Sequence, residues 1–328
     1  MLPRLAFILL VALALMPSPL ERRWTPPFDS SQRLSATRLA VVAAQVGEVN
    51  IDEAWHLDSP NSRFGGVSAL AYESPRQFLL GSDFGTMVRL RLSRDGSIPA
   101  VRIWPLWLDS PAALGKNGRD LESLAVDPAT GQLWAGFEQR HRIARFAPGM
   151  THVEGEANPR EMSAWNANGG AEALVRLNDG RFIILAETSG GPGGGTDALL
   201  FAHDPVAHPD ERPTRFALDA GGRGRITDAA ALPDGRVLLL FRGIALPEGW
   251  ISTLAVADPA TIRPRKPWQS RTIVRFERPQ IAENFEGLAI EPQRLPTDPI
   301  AIWMVSDDNL AAWQRTLLLR LLWSPDAR

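Results

Sequence analysis

Five segments of this chain obey one grammar, and a repeat constrains a fold more tightly than any single motif. Each has a polar residue, a short apolar run, a turn, and a second apolar run ending on a polar residue. They are Ser68-Ala-Leu-Ala-Tyr72 to Leu79-Leu-Gly-Ser-Asp83, Glu122-Ser-Leu-Ala-Val126 to Leu133-Trp-Ala-Gly-Phe-Glu138, Glu172-Ala-Leu-Val-Arg176 to Phe182-Ile-Ile-Leu-Ala-Glu187, Asp228-Ala-Ala-Ala-Leu232 to Val237-Leu-Leu-Leu-Phe-Arg242, and Glu286-Gly-Leu-Ala-Ile290 to Ile302-Trp-Met-Val-Ser-Asp307. Their first positions are 68, 122, 172, 228 and 286, so the steps are 54, 50, 56 and 58 residues.

Each unit reads as a β-hairpin, because apolar runs of strand length are split by turn chemistry such as Asn178-Asp179-Gly180 and Pro233-Asp234-Gly235. Further short apolar runs between the units, such as Met87 to Leu92 and Thr316 to Trp323, add outer strands. About four strands per repeat is the blade of a β-propeller. A step near 55 exceeds the WD40 period and approaches that of kelch, and neither signature is present. About 305 residues follow residue 23, which at 55 per blade is about 5.5, so the length favours six blades, with five or seven as neighbouring counts.

Residues facing each other across an antiparallel hairpin have numbers with a constant sum. The pair Glu122 and Glu138 centres on 130, Glu172 and Glu187 on 179.5, Asp228 and Arg242 on 235, Ser68 and Asp83 on 75.5, Glu286 and Asp307 on 296.5. Every centre falls in or beside a turn, so the polar pairs belong at the hairpin ends away from the turns. If these hairpins form the inner strands of blades, one mouth of the channel carries Asp83, Glu122, Glu138, Glu172, Glu187, Asp228, Glu286 and Asp307, with Asp308 and Asn309 adjacent. Like charges about 4 Å apart repel by roughly 4 kcal/mol at an effective dielectric near 20. Protons, arginines or a cation must offset this, and Arg242 and Arg119 can neutralise only part of it. A hard cation among oxygen ligands, Ca²⁺ above others, is the expected answer. The expected ligands are Asp83, Glu122, Glu172, Asp228, Glu286 and Asp307, with Glu138 or Glu187 as general base and Arg242 as oxyanion or phosphate clamp. The alternative is that the carboxylates cap strands and hydrogen-bond backbone amides with no ion.

Composition narrows the function classes. Thirty-five Lys and Arg against 37 Asp and Glu give a net charge of −2, which argues against nucleic-acid binding. No cysteine is present, so disulfides, thiolate metal sites and thiol nucleophiles are excluded. The five histidines have no helical metal spacing. His141, just beyond Glu138, could serve as a base but reads more simply as a surface-loop residue. The Gly190 to Gly195 run lacks a following Gly-Lys-Ser/Thr, and no Gly-x-Ser-x-Gly elbow occurs. At the amino terminus Arg4 precedes an apolar run from Leu5 to Met16, ended by Pro17. Twelve residues rise about 18 Å as a helix, short of a roughly 30 Å hydrocarbon core. Residues 1–23 therefore read as an export signal, or a membrane anchor if uncleaved, and residues 24–328 as one periplasmic or secreted domain, expected to be monomeric.

At the hairpins the sequence resembles the phytase-like domain family of exported bacterial proteins, described as having an esterase-like activity of phytase. The matching stretches are Phe64-Gly-Gly-Val-Ser-Ala-Leu70 with Gly81-Ser-Asp-Phe-Gly85, Asp120-Leu-Glu-Ser-Leu-Ala125, Glu172-Ala-Leu174, Ile226-Thr-Asp228 with Asp234-Gly-Arg-Val-Leu-Leu-Leu-Phe-Arg242, and Asn284-Phe-Glu-Gly-Leu-Ala289 with Val305-Ser-Asp-Asp-Asn309. They span about residues 63 to 322. The resemblance implies a β-propeller and hydrolysis of phosphate or carboxylic esters. The run D-A-D-D-P-A-I-W of the alkaline propeller phytases is absent. The functional expectation is a metal-dependent ester hydrolase acting on a small molecule, with a lactonase or a non-catalytic binding propeller as alternatives.

Overall fold

The computed structural model describes residues 27–41, 44–106, 119–246, 249–279 and 281–325, and the apolar segment read as an export signal lies outside them. The chain opens with β1 (Ser35–Arg38), β2 (Gln45–Val46) and β3 (Val49–Asp58). Four sheets follow in chain order. The first is β4 (Val67–Ser74), β5 (Gln77–Ser82), β6 (Thr86–Arg91) and β7 (Ala100–Pro105); the second is β8 (Leu121–Val126), β9 (Leu133–Phe137), β10 (Arg142–Phe146) and β11 (Val153–Ala157). The third is β12 (Ala171–Arg176), β13 (Phe182–Gly190), β14 (Thr196–Phe201) and β15 (Thr214–Leu218). The fourth is β16 (Arg225–Ala231), β17 (Val237–Ala245), β18 (Gly249–Ala257) and, after β19 (Pro267–Trp268) has joined β15, β20 (Arg271–Phe276). The fifth, β21 (Phe285–Glu291), β22 (Ile300–Ser306) and β23 (Thr316–Trp323), takes the amino-terminal β3 as its next strand.

Among the described residues there are thus five blades, one for each repeat. Five lies within the range the repeat allowed, and the sixth blade that the length favoured does not form. The surplus chain is spent on β1 to β3, which extend the fifth sheet, with Leu318 opposite Trp55 and Leu319 opposite Ala54. This closes the ring by joining the two ends of the chain.

The second strand of each blade is apolar at nearly every position because both of its faces are covered. Alternate side chains enter opposite blade junctions, as strand pleating requires: Phe78 and Leu80 pack towards the fifth blade, Leu79 towards the second. Val237, Leu239 and Phe241 likewise face the third blade, and Leu238 and Leu240 the fifth. The core is therefore five apolar clusters, one per junction. Glycine closes the inner hairpins where the turn needs positive φ, as at Gly180 (φ 90°), whose N–H donates to the Leu177 carbonyl at 2.9 Å. The inner strands β4, β8, β12, β16 and β21 neighbour one another around the channel. No helix among the described residues is long and apolar enough to cross a membrane.

Trp303 lies at the closing junction, fully buried, with its ring 4.6 Å from that of Phe78 in the first blade. Trp303→Ala is expected to lower unfolding stability by about 3–5 kcal/mol in urea titration; a change below about 1 kcal/mol would contradict this packing.

Candidate functional site

A pleated strand packed on both faces has no side-chain position left for the channel, unless its register is broken. All five inner strands break it at the same place. The ladder slips between Val67 and Ala69, Leu121 and Ser123, Ala171 and Ala173, Ile226 and Asp228, and Phe285 and Gly287. Each slip is a β-bulge whose extra residue is Ser68, Glu122, Glu172, Thr227 or Glu286; such bulges re-aim a side chain out of the alternating pattern. Beyond each bulge, the residue two positions before it faces the polar end of the second strand. This sets Gly66 against Asp83, Asp120 against Glu138, Arg225 against Arg242, and Asn284 against Asp307, while in the third blade the ladder ends one step earlier, at Ala171 opposite Ala186. The polar residues expected from the hairpin centres lie towards one end of the ring, displaced by the bulge, except Asp228, which pairs with Leu240 rather than Arg242.

The blades differ sharply in charge at these three positions. The second contributes Asp120, Glu122 and Glu138, each offering a ligand oxygen within 4.8 Å of the others. The fourth contributes Arg225 and Arg242, and their bonds go to its two neighbours. Arg242 Nη2 donates to Glu187 Oε1 at 3.0 Å and Arg225 Nη1 to Glu187 Oε2 at 3.1 Å. Arg242 Nη1 reaches Asn284 Oδ1 at 3.1 Å and also Glu286. Asn284 Nδ2 donates to Glu286 at 2.8 Å and to Asp307 at 3.4 Å. Arginine thus answers the acids of blades three and five, while the all-acid triad lies on blade two.

Burial and crowding push protons onto the acids. The Glu122 carboxyl is held well above the usual glutamate range by burial first, then by Glu172, Asp120, Glu138 and Asp83. Glu172 is raised in the same way by burial, Glu187 and Glu138, against a lowering by Arg242. Glu138 is pushed up to about 7 by burial and Asp120, although the Gly170 N–H opposes this. Asp307 rises to about 6, chiefly by burial.

Asp228 stands apart from the mouth. The repeat's bulge falls on Thr227, so Asp228 is one residue further on and fully buried. Its two carboxylate oxygens accept the N–H of Ala229 at 2.8 Å and, from the next blade, of Leu288 at 2.7 Å. It ties the fourth inner strand to the fifth, as the Thr227 hydroxyl does through the Phe285 carbonyl and Ser68 does between blades one and two. Asp83 and Asp308 lie on either side of the Gly65-Gly66 pair, where both φ angles are positive and a Cβ would collide with Leu310 at the first position and Asp83 at the second. Asp308 accepts the Gly66 N–H at 2.9 Å and the Thr316 hydroxyl at 3.0 Å. His141 bonds the Trp165 carbonyl at 3.2 Å, and its Nδ1 lies buried against Gly170.

The sequence reading missed Asp120, Arg225 and Asn284, which occupy the position two before the bulge. The spacing Asp120-Leu121-Glu122 was the available signal. Below the acids, the inner strands around Leu70, Leu124, Leu174, Ala229 and Leu288, each two residues past its bulge, surround a cavity of about 880 Å³ that continues to the hairpin-turn end. That end holds the Arg176–Asp127 ion pair at 3.3 Å and has no comparable acid cluster among its lining residues.

The model of the phytase-like family, described as esterase-like activity of phytase, matches residues 62–310. A search of curated proteins finds none that matches the chain. Among solved structures, the chain is similar to the glutaminyl cyclase of Myxococcus xanthus, at 14% identity over 84% of this chain and 97% of that one, with a TM-score of 0.46. It is also similar to a luciferin-regenerating enzyme, at 12% identity over 90% of this chain and 91% of that one, with a TM-score of 0.45.

Two measurements test the geometry. A carboxyl with a raised folded-state pKa keeps its proton when the unfolded chain has released it, so the folded form binds more protons and stability falls as pH rises. Without divalent cations, stability should fall between about pH 4.5 and 7, the ordinary glutamate value and that of Glu138. Glu138→Gln should flatten the decline; a wild-type profile that rises over this window would contradict the site's electrostatics. Asp228→Ala strands two buried amides and should cost at least about 2 kcal/mol in urea unfolding; a neutral result would sink the bridging role.

Proposed function

We propose that this chain, which belongs to the phytase-like family, is an exported hydrolase of phosphate or carboxylic esters that works at the acidic mouth with a divalent cation. The observation that carries the reading is the all-acid triad of the second blade, Asp120, Glu122 and Glu138, with ligand oxygens within 4.8 Å of one another. Three carboxylates and no nitrogen or sulfur donor suit a hard cation, Ca²⁺ above others. When bound, such a cation would polarise the ester's carbonyl or phosphoryl oxygen and make a water more acidic.

The chain's own groups supply the rest. Hydrolysis adds water across the acyl carbon or phosphorus, breaks the bond to the leaving oxygen, and moves one proton from water to that oxygen. Glu172, beside both Glu122 and Glu138, would accept this proton and return it, a role that requires the mouth's negative charge to be offset so that Glu172 gives up the proton that burial and its acid neighbours hold on it. Of the two bases the sequence suggested, Glu138 joins the ligand set and Glu187 is held by two arginines. Arg242, fixed by Glu187, Glu286 and Asn284, is a stationary positive charge beside the reaction centre rather than a mobile clamp.

Calcium titration by calorimetry and by thermal unfolding tests the cation. The wild-type protein should bind calcium at one site and unfold several degrees higher, since a ligand at 100 times its Kd adds about 2.7 kcal/mol. Glu122→Gln with Glu138→Gln should lose both effects, and equal responses in variant and wild type would overturn the assignment. Turnover of p-nitrophenyl phosphate, bis-p-nitrophenyl phosphate, p-nitrophenyl acetate and lactones, with and without Ca²⁺, separates the hydrolase from a binding propeller, which would hold the cation and turn over none of them.

A further inference from the structure

We infer that the ester taken at the acidic mouth carries little negative charge and an apolar group, which lies against an apolar rim formed by the loops around that mouth; this rests on the hydrolase reading above. Seven large apolar residues are exposed among the described residues; four of them lie in connections from the second to the third strand of a blade, which open at the acidic end, and a fifth, Ile244, lies at the adjoining end of β17. They are Phe84 (41% exposed), Ile244 (67%), Leu246 (90%), Leu310 (59%) and Trp313 (84%). Scattered exposed apolar residues need no explanation, but a concentration around one mouth does.

The rim is continuous with the acids. The Gly65-Gly66 pair packs between Asp308 with Leu310 on one side and Asp83 with Phe84 on the other, so Phe84 and Leu310 flank the two carboxylates directly. Trp313 follows in the same loop as Leu310, which turns through the Asp308 carbonyl to the Ala311 N–H at 2.8 Å. On the neighbouring fourth blade, the Trp250 ring lies 5.9 Å from the Arg242 guanidinium, with Ile244 opposite Trp250 in the hairpin. An apolar group reaching outwards from the mouth towards blades four, five or one would lie against these side chains.

Charge points the same way. At the bulge and facing positions the mouth carries Asp83, Asp120, Glu122, Glu138, Glu172, Glu187, Glu286 and Asp307 against Arg225 and Arg242, both already bonded to Glu187, and Arg119, packed against Gly85 at the same end, leaves the acids in excess. Recognition of a polyphosphate rests on arginine forks directed at the ligand and on a positive field. This mouth has the opposite sign, so a densely phosphorylated substrate is disfavoured and a neutral ester with an alkyl or aryl group is favoured.

The test uses the full chain with Ca²⁺ and compares p-nitrophenyl acetate, butyrate and octanoate with phytate. Burying one methylene changes an equilibrium up to about fourfold, so kcat/KM should rise about tenfold or more from acetate to octanoate, with phytate left intact. In Trp313→Ala and Leu310→Ser the octanoate-to-acetate ratio should fall about tenfold. A ratio unchanged in both variants, or phytate preferred over octanoate, would overturn the inference. So would loss of sedimentation with phosphatidylglycerol vesicles in Trp313→Ala at an unchanged ratio, which would make the rim a membrane-docking surface. If no ester is turned over, calorimetry with N-octylacetamide and N-ethylacetamide reads the rim alone. Preferential binding of the octyl compound, lost in Trp313→Ala, would keep the rim while the hydrolase reading fails; equal binding would sink the rim as well.

Discussion

The site depends on one local irregularity repeated five times, the β-bulge near the start of each inner strand. In a ring of radial sheets, every side chain of a regular inner strand is claimed by one of two packed junctions, and only backbone faces the channel. One inserted residue releases a side chain from that alternation. Because the slip occurs at the same height in every blade, the released residues form one tier, and the junctions beneath it stay intact. The bulge thus lets one sequence repeat serve packing and chemistry at once.

The tier is not symmetric, and its asymmetry organises the chemistry. Where the bulge residue bears a hydroxyl, Ser68 or Thr227, it bonds the carbonyl of the next inner strand and acts as a staple. Where it is a glutamate, it adds charge. The two arginines on blade four draw Glu187 and Glu286 into ion pairs, which leaves the densest acid cluster on blade two. A net charge near zero for the whole chain therefore coexists with a strongly acidic mouth.

Much of this was legible in the sequence because period and turn chemistry are local. The five hairpins, the turn glycines and the gathering of polar ends at one mouth all follow from apolar runs and constant-sum pairing. Blade number was less secure, since β3 is separated from its partner β23 by most of the chain and nothing local marks it as part of the fifth sheet. The bulge was also hidden: an inserted residue leaves the apolar pattern almost unchanged and shifts the pairing by one. For that reason Asp228 reads as equivalent to Glu122, whereas Thr227 holds that place, and Asp120 is not picked out as a candidate ligand. Which acids are balanced by arginine depends on contacts between blades, which sequence spacing does not encode.

The central claim is that the second blade's three carboxylates, gathered within 4.8 Å of one another, form a cation site. Anomalous diffraction from calcium-soaked crystals tests it most directly. The account predicts a peak about 2.3–2.6 Å from oxygens of Asp120, Glu122 and Glu138. A mouth with no peak there, or with its ion between Glu187 and Glu286, would contradict it.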